Sequence, residues 1–367
     1  MRHLMAALLI ALLPLASYAA IEVRTSPATA YIESGMSSQE LNFDFILNNT
    51  SPVDLIWVGV ELKVLDKQGN AIRREFFDTN SRSHAELPRK GRTISAGKSQ
   101  LIFNPFHTFS ANVPLNELEY RFTFIDANDK EYVEETRVKP VQYAVKTSLI
   151  LPLKGRVLLW DGHDYAAHHR RMDYNVPMFG IENQFHTNFQ RYGYDFVIVD
   201  DKGEMTRTPL PSTEAWYRHD PKDNAQFYGF AADVLAPGTG KIVDIHDGEA
   251  DDLQFDVSEL RTRETAYGGN FIIIDHENGE FSWLGHLKQG SVRVSVGQRV
   301  KQGEVVGQVG ASGSSLFPHL HYELRTAAGA ANADGLPSTF RGISRPGQRG
   351  RLASDGHIAV GEIVESK

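Results

Sequence analysis

GNFIIIDHENGEFSWLGHL, residues 269–287, reads as two strands around a turn. An apolar β-branched run, Phe271 to Ile274, leads into Glu277-Asn278-Gly279, and a second apolar run follows. Asn-Gly tolerates the positive φ angles of a tight hairpin turn, so the stretch predicts a β-hairpin. The pattern continues downstream in GSVRVSVGQRVKQGEVVGQVGASG, residues 290–313. Val292, Val294 and Val296 alternate, and Gly297, Gly303, Gly307 and Gly310 punctuate, which predicts a compact glycine-turned sheet. Upstream, Leu41, Phe43, Phe45 and Leu47 form a period-two row, as do Ile56, Val58, Val60, Leu62 and Val64. Tyr120, Phe122 and Phe124 alternate before the Asp126–Asp129 turn. Short alternating runs with regular turns predict an Ig-like β-sandwich over 21–148. The chain of 367 residues is thus expected to be mainly β. A second β domain covers 152–340, and a C-terminal loop and strand cover 341–367. Helix is expected only near 163–175.

Residues 1–20, MRHLMAALLIALLPLASYAA, have a basic start, an apolar run and a small-residue end. This is the pattern of a secretory signal peptide, and the run is shorter than the roughly 20 residues a membrane-spanning helix needs. The chain is therefore expected to be exported, periplasmic or secreted, with no stable membrane anchor after cleavage. It has no cysteine, so any metal must be held by His, Asp or Glu. Removing residues 1–20 takes away one basic residue, Arg2, and leaves 37 − 46 = −9 charges. Such an acidic chain is not expected to bind nucleic acid. The basic stretch Pro88–Arg92 reads as a solvated turn, and the acidic stretch Asp244–Asp252 as a solvated loop.

SSLFPHLHYELRTA, residues 314–327, places His319 and His321 two apart before strand formers. Residues two apart share a strand face, so the two imidazoles stand roughly 6.5 Å apart along it. Such a pair suits metal ligation or proton transfer. Other groups of the same chemistry are Gly162–Asp173, which includes His163, His168 and His169, and His186–Phe196, together with His286. His84, His107, His219 and His357 stand alone in polar contexts, and His246 and His276 sit beside acids near strand ends; all read as surface or structural. Phe189, Tyr192, Trp216, Tyr217 and Trp283 read as core more readily than as substrate contacts.

FPHLHYELR, RYGYDFVIVD, YGFAADVLAPGTGKIVDI and the 268–315 stretch, taken together, resemble the lysostaphin-type (LytM-like) zinc metallopeptidases, whose members mostly cut peptide cross-links of bacterial cell walls. The resemblance covers about 183–326 and implies a β-sheet groove of the duplicated-hybrid-motif type. It implies one zinc ion per chain, held by His186, Asp195 and His321. It also implies two non-ligand histidines, His286 and His319, that act on the reacting groups. Many members space the first two ligands as His-x-x-x-Asp, which here fits His169–Asp173. His186 and Asp195 are expected instead, because RYGYDF carries the family's Tyr-x-Asp strand and leads into VLAPGTGKIV.

The function implied is an exported zinc metalloendopeptidase acting on peptidoglycan stem peptides or cross-bridges. The alternatives are a catalytically silent wall-binding or regulatory module on the same fold, and a protease of a non-wall protein. A biotinyl or lipoyl carrier would need a lysine at a hairpin tip, which is not evident. The partner of the N-terminal domain is not readable from the residues. Gly310–Ser315 lacks the Gly-Lys-Ser/Thr ending of a phosphate loop and reads as a flexible turn feeding the His319 strand.

Overall fold

The computed structural model describes residues 20–34, 38–78, 91–174, 185–208, 220–346 and 356–366. The expected leader, apart from Ala20, lies outside the described residues, as do His84, residues 88–90, Trp216, Tyr217 and His219. Among the described residues the chain is β throughout, and helix is confined to short 3-10 turns. Residues 163–174 form successive turns instead of the expected helix. One α-type bond, Arg171 N–H to Ala167 O at 3.1 Å, survives there. The reason is tertiary, since neighbouring side chains in this stretch are drawn to partners in both domains.

The N-terminal domain sets two antiparallel sheets around one apolar core. One holds Ile21–Ser26, Asp44–Asn49 and Ser99–Phe103. The other holds Glu131–Val138, Glu117–Ile125, Leu55–Leu65 and Ala71–Asp78. The period-two rows meet inside it: Phe45 and Leu47 from one sheet, Val60, Leu62, Tyr120 and Phe122 from the other. A third sheet of four short strands, Val141–Gln142, Tyr31–Ser34, Ser38–Leu41 and Thr108–Ser110, carries Glu33, which bonds His163 of the second domain.

The second domain is built on a long antiparallel sheet. Its strands run Arg299–Val300, Gly240–His246, Asn270–Asp275, Phe281–Leu287, Leu320–Arg325, Tyr194–Ile198, Gly155–Asp161, Ile363–Ser366 and Ile343–Ser344. The hairpin of residues 269–287 is present, with Glu277 and Gly279 at positive φ. The stretch after residue 341 is no detached tail, because Ile363–Ser366 pairs with Gly155–Asp161 inside the sheet. Leu149, Leu151 and Leu153 also lie in this domain's core, so the passage between domains runs across packed chain.

Strand Leu320–Arg325 is buried on both faces. Leu320, Tyr322 and Leu324 pack with Tyr194 and Phe196 in the main core. His321, Glu323 and Arg325 point the other way, beneath a second cluster that includes Phe189, Tyr267 and Trp283. Buried ionisable groups need partners, and that polar face is where the chemistry collects.

Candidate metal centre

Sheet register places Asp161, Asp195, His321 and Gly285 in one row across four strands. Residues opposite one another share a face with Cβ atoms about 5 Å apart, so the row directs two carboxyls and an imidazole to one spot. Gly285 leaves room there for Trp283, whose ring lies 2.2 Å from where a Cβ on Gly285 would stand. His286 needs a further device, because simple alternation would send it to the opposite face. Asn270 pairs with Leu287 and Ile272 with Leu284, so Gly285 and His286 together oppose Phe271. This bulge, with φ +58° at His286, rotates its ring to within 4.7 Å of the His319 ring.

Four imidazoles surround Asp195, and each is oriented through its other nitrogen. His169 Nδ1–H donates to Gly162 O at 3.0 Å, leaving Nε2 3.5 Å from Asp195 Oδ1. His319 Nδ1–H donates to Phe317 O at 2.8 Å, leaving Nε2 3.4 Å from the same oxygen. His321 bonds Glu323 through Nε2 at 2.6 Å and turns Nδ1 to Asp195 Oδ1 at 2.9 Å. His286 Nδ1–H donates to Ser312 O at 2.8 Å, which frees its Nε2. These tautomers are assigned from the acceptors that each ring meets.

The donor set fits a cation. His169 Nε2 is buried, has no hydrogen-bond partner and points its lone pair at a carboxylate oxygen. Donor atoms of Asp161, His168, His169 and Asp195 all lie within 4.8 Å of one another. Imidazole nitrogen plus carboxylate oxygen, with each ring anchored behind, is a zinc-type set. Burial and the neighbouring His319 and His321 hold His286 well below its ordinary pKa. Burial raises the Asp195 carboxyl, but the surrounding imidazoles outweigh it and hold Asp195 well below the usual carboxylate range.

Of the expected site residues, Asp195, His286, His319 and His321 are brought together, and His186 is not. His186 is exposed, and its N–H bonds Ala331 O at 2.9 Å in the turn that precedes Asn188. His169 stands in the place His186 was expected to take. It arrives from the turn segment, where Asn188 Nδ2 bonds its carbonyl at 2.9 Å. Arg191, four residues before Asp195, turns away to Asp44 of the N-terminal domain at 2.7 Å. Gly310–Ser315 also differs from expectation. It is packed and hydrogen-bonded, with Ser312 Oγ accepting from Asn270 N–H and donating to Leu287 O.

Residues 227–333 match the model of Peptidase family M23. The chain carries a Peptidase M23 domain. The matched stretch includes His286, His319 and His321 and stops short of Asp195 and His169. Peptidoglycan DD-endopeptidase ShyA of Vibrio cholerae is 38% identical over 74 residues, 20% of this chain and 17% of ShyA. Cell division protein DipM of Caulobacter vibrioides is 42% identical over 59 residues, 16% of this chain and 9% of DipM. The chain thus spans less than a fifth of the length of these two curated relatives. The lysostaphin catalytic domain of Staphylococcus simulans aligns at 21% identity over 36% of this chain and 84% of that chain, with a TM-score of 0.22.

In the M23 domain the ring of His321 is held by a buried charged chain. Glu323 accepts from His321 and from Arg325, and Arg325 donates to the Tyr267 hydroxyl. Burial alone would lower the His321 pKa, but its bonds to Asp195 and Glu323 raise it to about 9. In the metal-free chain a proton therefore sits on Nδ1, where a cation would bind. A metal ion bound there would have to displace that proton, so the raised pKa opposes binding below about 9 and not above. Apparent zinc affinity is expected to rise about tenfold per pH unit up to about pH 9, with about one proton released from His321. Zinc titration calorimetry in buffers of different ionisation enthalpy measures that proton; no proton release at pH 7 would refute the assignment.

Proposed function

We propose that the chain is an exported zinc metalloendopeptidase that hydrolyses peptide bonds in peptidoglycan stem peptides or cross-bridges. The observation that carries this reading is the convergence of imidazole nitrogens on Asp195 Oδ1, each ring fixed through its other nitrogen. His169, Asp195 and His321 would hold one zinc ion. Bound there, zinc supplies a Lewis acid that polarises the scissile carbonyl and acidifies water. His319, with Nδ1 committed to Phe317 O, offers Nε2 as the base for the attacking water. His286 offers a second Nε2 beside it, to carry that proton to the departing amine. A cleft lined by Trp160, Asp161, Ala167, His168 and Leu316 opens beside the row and gives a peptide access.

The second reading, a silent module, would lack a ligand; Asp195, His321 and a third donor, the His169 imidazole, stand together here and support the first reading. The test is digestion of purified sacculi by the zinc-loaded chain, with released fragments identified by mass. His321→Ala is expected to lose zinc and cleavage together. His319→Ala is expected to keep zinc and lose about 10²–10⁴-fold in rate. Intact sacculi after treatment with the zinc-loaded chain would overturn the wall substrate. Full turnover by His319→Ala would overturn the base assignment.

A further inference from the structure

A second group of metal-type donors, distinct from the ligands of the M23 centre, lies where the two domains meet. Glu33 comes from the N-terminal strand Tyr31–Ser34. His163 follows strand Gly155–Asp161, and His357 belongs to the segment leading into strand Ile363–Ser366. One donor atom from each lies within 4.8 Å of the other two. Glu33 Oε1 is 3.0 Å from His163 Nε2 and 3.7 Å from His357 Nδ1. Two donors about 2.0–2.1 Å from zinc at the tetrahedral angle stand about 3.4 Å apart, and both separations bracket that value.

We propose that Glu33, His163 and His357 form a second, structural zinc site that fastens the N-terminal domain to the M23 domain. His163 is oriented as a ligand is, with Nδ1 toward Gly193 O at 3.4 Å and Nε2 toward the carboxylate. His357 Nδ1 is buried without a hydrogen-bond partner and faces Glu33. An orphaned buried nitrogen beside a carboxylate is destabilising, and a shared cation removes that cost. Asp164, which also acts on both rings, is held at Oδ2 by Val360 N–H at 2.9 Å. The His357 side chain is the most exposed of the three, at 18%. The competing occupant is a proton on His163. Burial lowers its pKa, yet Glu33, with Asp164 and Gly193 O, outweighs burial and raises it, which favours the proton when metal is absent.

The site would join three stretches that no covalent bond connects locally. It also stands close to the catalytic row, because Gly193, the carbonyl partner of His163, lies two residues before Asp195. Its role is to hold that region in place, and no reacting group touches it.

The experiment strips the full chain with a chelator, reloads it with zinc alone, and counts ions per chain by mass spectrometry. Two zinc ions per chain are expected for the unmodified protein, and one each for Glu33→Gln and His321→Ala. His357→Gln, which changes the most exposed of the three donors, is expected to hold one ion and to lose the part of the zinc-induced rise in melting temperature that His321→Ala retains. A single ion, kept by Glu33→Gln and lost by His321→Ala, would overturn this site and leave the catalytic reading standing. A single ion with the opposite pattern would support this site and overturn the catalytic one.

Discussion

His169→Ala is expected to abolish zinc binding at the catalytic row and hydrolysis with it, whereas His186→Ala leaves both intact. His169 is buried, its Nδ1 is spent on Gly162 O, and its Nε2 has nothing else to bond but an ion shared with Asp195. His186 lies at the surface. Removing even a group that only orients a ligand typically weakens metal binding about 10–100-fold, so removing a ligand should cost at least about 100-fold in affinity. The measurements are zinc content after dialysis against a chelator and the rate of stem-peptide cleavage. Loss of zinc from His186→Ala, with His169→Ala unaffected, would restore the pair expected from the sequence.

The largest expected effect on stability belongs to Asp44→Asn. Asp44 is fully buried between two buried guanidinium groups, with Oδ1 2.6 Å from Arg170 Nη1 and Oδ2 2.7 Å from Arg191 Nη1. Arg170 also donates to Phe43 O, and Asn42 donates to Arg191 O. Neutralising Asp44 leaves two interior cations without their counter-charge, which costs about 3–5 kcal/mol. Urea unfolding should show the drop as a lower midpoint. Replacing all three together, Asp44→Leu with Arg170→Met and Arg191→Met, should recover most of it, because apolar groups of similar volume carry no desolvation cost. A drop within about 1 kcal/mol for Asp44→Asn would refute the clamp. Because Arg170 adjoins His169, the clamp also places the N-terminal domain in the scaffold of the proposed metal centre. Residues 152–367 alone would lack Asp44 and would present the two arginines unpaired.

The hairpin of residues 269–287 is readable because Asn278-Gly279 and the flanking β-branched runs carry the turn and the strands in local sequence. His321 and Asp195 are readable for the same reason, since each lies within a strand of recognisable pattern. His169 shows in the sequence only as the start of the His169–Asp173 spacing, because it lies in turns with no period, and its approach to Asp195 depends on Asn188, Gly162 and the clamp around Asp44. That spacing pairs His169 with Asp173 along the chain, whereas the fold brings His169 Nε2 to 3.5 Å from Asp195. The bulge that turns His286 inward is likewise invisible, because it depends on how Phe271 registers against the neighbouring strand. His357 reads as a lone loop residue until the fold brings Glu33 and His163 to it.

Strand Ile363–Ser366 has a consequence for the order in which the chain folds. It pairs with Gly155–Asp161, which comes from the other end of the domain's sequence. Contacts so distant along the chain form slowly, because a large loop must close before they stabilise anything. Until they form, Gly155–Asp161 presents an unpaired edge, and such an edge invites pairing with another chain. Aggregation is thus the natural competitor of the last folding step, and the closing segment of this chain is what ends the competition.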